Sequence, residues 1–185
     1  KKGVFSAVGV DNFQGGYLAT EHLVKLGHKR IGMIAGKFSI SDRSLHRWHG
    51  YKHCLKNYNI NYDNNLLFQT NYSLTGGKAS MEKMLALQDP PTAVFCSNDY
   101  MALGAMKGAR ECGLSLPQDM SIVGFDDIQI ASYVVPELTT IHQPAYEMGK
   151  LAAKLLFTLM EEKTGKPVQK MLESSLVVRE STHGI

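Results

Sequence analysis

Three short apolar runs in this 185-residue chain each end in a carboxylate or an amide. SIVGFDD (121–127) passes from Ile122 and Val123 through Gly124 into Phe125, Asp126 and Asp127. VFCSND (94–99) ends at Asn98 and Asp99, and VGVDN (8–12) at Asp11 and Asn12. An apolar strand that finishes in such groups puts them at its carboxyl end, the edge where open α/β sheets hold ligands. Asp126 can accept from a hydroxyl, and Asn98 can both donate and accept. Arg47, at the start of a helical pattern after SISDRSLH, has a planar fork able to grip two oxygens. Tyr72, just before another helical pattern, offers a flat ring. Carboxylate, amide, guanidinium and ring together suit a polyhydroxylated ligand. Each residue also has a plain reading. Asn98 or Asp99 could cap the helix that follows, Asp127 is expected to be a cap, and the others could be surface ion pairs.

Motifs for catalysis are weak. GGKAS (76–80) lacks the first glycine and the Lys-Ser/Thr pair of a phosphate loop. There is no G-x-G-x-x-G after a strand, no G-x-S-x-G elbow and no H-E-x-x-H. His46, His49 and His53 share one side of a helix, where a solvated or half-buried face is the expectation and a metal site the alternative. With no nucleophile, base or metal set beside the strand ends, the pattern describes a binding site that needs no cofactor and not an enzyme.

The elements that would position these residues alternate from end to end. Strands are expected at Ala7–Val10, Ile31–Ala35, Leu66–Gln69, Ala93–Cys96, Ile122–Phe125 and Leu172–Val178, with an extended stretch at 138–144. Helices are expected at Gly15–Leu26, Arg47–Tyr58, Thr75–Leu87, Asp99–Glu111 and from Pro144 to about Glu162. Apolar residues recur at helical spacing in each, and Gly27 and Gly113 stand where helices end. Alternation of this kind predicts an α/β fold with a mainly parallel sheet and helices on both faces. The cleanest stripe, Met148, Leu151, Ala152, Leu155, Leu156 and Leu159, has no obvious partner, which suggests a packing segment upstream of Lys1.

Composition sets bounds on partners. Hydrophobic residues make up 44%, enough for a core, and the net charge of +3 is too mild to argue for nucleic-acid binding by this chain. No apolar run is long enough to span a membrane. Three cysteines cannot all pair, and Cys54, Cys96 and Cys112 read as buried free thiols of a reducing cytoplasm.

LVKLGHKRIGMIAG (23–36), PPTAVFCSNDYMALGAMKGARECGLSLPQDMSIVGFDD (90–127), PELTTIHQPAYEMGKLAAKLL (136–156) and LVVREST (176–182) resemble the effector-binding domain of lactose-repressor-type (LacI/GalR family) transcriptional regulators. The resemblance covers essentially the whole chain. It implies a periplasmic-binding-protein-like fold of two doubly wound parallel-sheet lobes, with a sugar or other small polar effector between them. Residues 12–141 plus 173–185 would form the complete C-terminal lobe, and 1–11 plus 142–172 part of the N-terminal lobe. The family's DNA-binding helix-turn-helix has no counterpart here, so operator DNA would be met outside these residues. By matching position, Arg47, Asp126, Asn98 and Tyr72 would contact the effector, with Asp11 near the cleft and Gln143 reaching it from a crossover. The resemblance also implies a homodimer through the helix from Asp99 and the stretch SYVVPEL (132–138). An exported sugar-binding protein of a transport system shares the fold and is the alternative.

Overall fold

A computed structural model describes residues 5–161 and 167–185. Its elements are β1 (Ala7–Val10), α1 (Asn12–Lys25), β2 (Ile31–Gly36), α2 (Asp42–Asn57), β3 (Leu67–Thr70), α3 (Leu74–Leu85), β4 (Ala93–Cys96) and α4 (Asp99–Glu111). There follow β5 (Ser121–Asp126), β6 (Thr139–His142), α5 (Ala145–Glu161), β7 (Gln169–Leu172) and β8 (Ser175–Val177). The expected end of the last helix at about Glu162 lies outside the described residues.

Six strands form one sheet in the order β3-β2-β4-β5-β6-β8, parallel except for β8, which runs antiparallel at the edge. The chain steps outward from β2 to β3 and then crosses back to β4, which makes a topological switch point between β2 and β4. Alternation along the strands sends side chains to two cores. Ile31, Met33, Ala35, Phe95, Val123 and Phe125 meet Ala19 and Leu23 of α1 and Tyr51 and Leu55 of α2. Ile34, Val94, Cys96 and Ile122 meet Met81 and Met84 of α3 and Met101, Ala105 and Met106 of α4. Full burial of each large side chain contributes about 1.5–3 kcal/mol.

Helices α1 and α2 lie unusually close. A Cβ on Gly16 would fall 2.2 Å from the Arg47 carbonyl oxygen, and one on Gly50 2.0 Å from that of Phe13. This contact fixes the height at which α2 presents Arg47. Gly27 and Gly113 take positive φ where α1 and α4 end, as their positions suggested.

β1 and β7 pair in a separate parallel two-stranded sheet, with register Ala7↔Gln169 to Val10↔Leu172. The final stretch is therefore not one strand from Leu172 to Val178. It breaks at Glu173 and Ser174, and β7 and β8 serve different sheets. α5 buries no residue: its stripe is only half covered, and Leu156, Phe157 and Met160 are exposed. Two further expectations are corrected. α2 begins at Asp42 and not Arg47, because the Ser41 hydroxyl accepts the Ser44 N–H and caps it. Cys112 is exposed at the end of α4, whereas Cys54 and Cys96 are buried free thiols whose titration burial pushes up, Cys54 to about 12.

Candidate functional site

At the switch point a cavity of about 390 Å³ is lined by Ile40, Ser41, Arg43, Arg47, Tyr72, Asn98 and Asp126. Four of the six expected residues thus meet. Each reaches it from the carboxyl side of a different strand: Arg47 after β2, Tyr72 after β3, Asn98 after β4, Asp126 at the end of β5.

Arg47 is 4% exposed, and its guanidinium is held by several neighbours. Nε donates to Asn12 Oδ1 at 2.8 Å, Nη1 donates to the Ser97 carbonyl, and the guanidinium lies 3.5 Å from the centre of the Phe125 ring. Nη1 stands 3.7 Å from Asp126 Oδ1. Burial lowers the Arg47 pKa to about 10, the nearby Asp126 opposing the shift, so the group stays cationic at neutral pH. Burial raises the Asp126 pKa, with Arg47 and the Gln143 amide pulling the other way. Gln143 Nε2 donates to Asp126 Oδ1, so Gln143 holds Asp126 instead of lining the cavity. Asp126 and Asp127 both take positive φ, 120° and 57°, a costly backbone for non-glycine residues that concentrates at functional sites.

Asn98 reconciles its two readings. Oδ1 accepts the Met101 N–H at 2.9 Å as the N-cap of α4, and the residue still borders the cavity, where its amide NH₂ remains available to donate. The Tyr72 hydroxyl is fixed at 2.7 Å from Ser41 Oγ and 2.8 Å from Ser44 Oγ, while Ser44 Oγ bonds Ser97 Oγ and accepts the Gly36 N–H. This hydroxyl chain had no sequence signal, since serines are common in loops. Asp11 does not line the cavity. Its Oδ1 accepts the Gln14 N–H at 2.9 Å as the N-cap of α1.

Asp127 is not a helix cap. It bridges Arg179 Nη2 at 2.6 Å and His142 Nδ1 at 2.8 Å, tying the ends of β5, β6 and β8 together behind the cavity. Asp99 is likewise no cap. Fully buried beneath the site, it accepts the Thr140 hydroxyl at 2.6 Å on Oδ1 and the Ile128 N–H at 2.9 Å on Oδ2. Burial nevertheless pushes its pKa up to about 7. Among the described residues no group of three His, Cys, Asp or Glu side chains could hold a metal, and no helix is long and apolar enough to cross a membrane.

A strand-end cavity at the switch point of a doubly wound sheet, walled by opposed charges, an amide and a ring, defines a small-molecule-binding α/β domain. Residues 20–182 match the periplasmic binding protein-like domain. The chain belongs to that family and forms an effector-binding domain of the LacI type. The HTH-type transcriptional repressor PurR of Aliivibrio salmonicida is 37% identical over 175 residues, covering 94% of this chain and 52% of the repressor. The transcriptional regulator CelR in complex with cellobiose superposes with a TM-score of 0.93 at 34% identity, over 98% of this chain and 55% of that one. A LacI-family regulator from Enterococcus faecium with bound ribose superposes at 0.90 with 36% identity, over 97% and 66%. The chain spans about half the length of the curated relatives it matches.

Proposed function

We propose that the chain is the effector-sensing part of a cytoplasmic, DNA-binding repressor, and that its effector is a sugar or a related small polyhydroxylated metabolite. The observation that carries the reading is the opposed pair Arg47 and Asp126 on one strand-end cavity. Arg47 offers N–H donors and Asp126 acceptor oxygens, so neighbouring hydroxyls of one ring can be bound in both senses. Asn98 adds an amide, Tyr72 a ring face, and Gln143 aims the Asp126 carboxylate. Asp11, engaged as a cap, contributes through α1 and not by contact. The cellobiose and ribose complexes of the two structural relatives support this ligand class. That repressor relatives match over almost the whole chain favours this reading over an exported transport protein, and it gives no support to an enzyme.

Residues 12–141 plus 173–185 would form one lobe and 1–11 plus 142–172 part of the other, in keeping with the separate β1–β7 sheet. Effector binding would bias the relative orientation of the lobes and so the spacing of two DNA-reading heads in a homodimer. The exposed Tyr100, Ile130, Tyr133 and Val135 supply an apolar surface for that dimer. The test is calorimetry of the full-length protein with a sugar panel, followed by Arg47→Ala and Asp126→Ala. Loss of an interaction with a charged group costs about 1.5–3 kcal/mol, so each variant should weaken binding about tenfold or more without unfolding. Unchanged affinity in both would overturn the site.

A further inference from the structure

A larger hollow than the strand-end cavity runs along the outer face of α2. It measures about 860 Å³, within the range of small-molecule pockets. The helix supplies one wall, with His46, His49, Lys52, His53 and Lys56, and the turn beyond it supplies Asn59, Ile60, Asn61 and Tyr62. From His46 to Lys56 the helical wall rises about 15 Å. No carboxylate lines the groove. Asp63 and Glu21 are already engaged, with Arg30 and Lys25, and Asp42 stands one turn before His46 on the same helix. Lys52 and Lys56 form no salt bridge among the described residues. Lys52 Nζ is held instead over aromatic faces, 4.5 Å from the centre of Trp48 and 4.6 Å from that of Tyr62. The His53 ring rests 5.5 Å from Phe13.

Two ammonium groups without counter-charges, in a concave site, focus a positive field that recruits anions. Imidazoles and asparagine amides add N–H donors, and Tyr62, Phe13 and Ile60 add an apolar surface on which a flat ring can lie. The three histidines noted in the sequence lie exposed along this side of α2, the solvated face that was expected. We propose that this groove is a second ligand site, for a phosphorylated aromatic small molecule of the nucleotide class. Arg47 projects from the buried side of the same helix, so the groove is separate from the effector cavity.

The test is calorimetry of the full-length protein with ATP and with pyrophosphate at low ionic strength. ATP is expected to bind, and more tightly than pyrophosphate. Lys52→Gln with Lys56→Gln should weaken both anions about tenfold or more, the loss expected for removing hydrogen bonds to charged groups. Tyr62→Leu should weaken ATP and spare pyrophosphate. Lys83→Gln with Lys154→Gln removes the same charge from α3 and α5, away from the groove, and should change neither. Absence of ATP binding, an equal loss in the control variant, or pyrophosphate binding as well as ATP would each overturn the proposal. A glutamate octapeptide that bound more tightly than ATP would also overturn it, reassigning the groove to an acidic protein partner.

Discussion

A Cβ on Gly124 would come within 2.2 Å of Asp99 Oδ1 and 2.9 Å of Leu138 Cδ2. Gly124 faces Thr140 across the β5–β6 ladder, and Thr140 is the hydroxyl donor to that same carboxylate. The small residue therefore makes room for a buried acid that fastens β6 to the turn just after Asp126. Gly124→Ala should cost about 1–3 kcal/mol through overpacking, read by urea denaturation. Gly149 in α5 is the contrast, because a Cβ there meets nothing within 4 Å. Gly149→Ala should stabilise by about 0.5–1 kcal/mol through helix propensity alone. Equal effects at the two positions would show that crowding at Asp99 does not govern the site.

At the scale of elements, buried strands and helix stripes were legible because each side chain's partners recur at fixed spacing. β2, β4 and β5 are buried almost throughout, and their apolar runs announce it. What was not legible was set by distant partners. Asp127 looked like a cap because its true partners, Arg179 and His142, lie 52 and 15 residues away. The break between β7 and β8 is likewise a choice between two sheets, which period-2 patterning does not encode. Asp11 tests the same distinction at a helix end. If it acts as the cap of α1, Asp11→Ala should cost about 1 kcal/mol by thermal or urea unfolding. Effector affinity, measured in the same variant, should stay within about threefold, a difference well below one hydrogen bond to a charged group. A large loss of affinity with unchanged stability would instead return Asp11 to the binding site.

For the whole molecule, one buried and one half-buried imidazole and one buried carboxyl set opposing responses to acid. His28 bonds Thr92 Oγ1 at 2.9 Å, Ser121 Oγ at 3.1 Å and the His183 carbonyl at 3.0 Å, and His22 bonds Thr182 Oγ1 at 2.9 Å. Together they fasten the last residues to the sheet. Burial lowers both histidine pKa values from 6.5, so the unfolded chain takes up these protons first as pH falls. Their contribution is complete above about pH 6.5 and declines below it. Asp99 works in reverse. Its folded pKa of about 7 lies above the ordinary 3.8, so its burial destabilises the fold fully above pH 7, and protonation relieves that as pH falls toward 4. Over pH 7 to 5 the two responses have opposite signs, so each reduces the other's effect on wild-type stability. Asp99→Asn can still accept from the Ile128 N–H and donate to the Thr140 hydroxyl, but it removes the titration. The variant should therefore lose stability on acidification across this window, with a slope steeper than wild type by up to about 1.4 kcal/mol per pH unit, one proton's worth. Urea titrations of both proteins at pH 7, 6 and 5 check it, and parallel curves would mean that Asp99 is already ionised in the folded protein at pH 5.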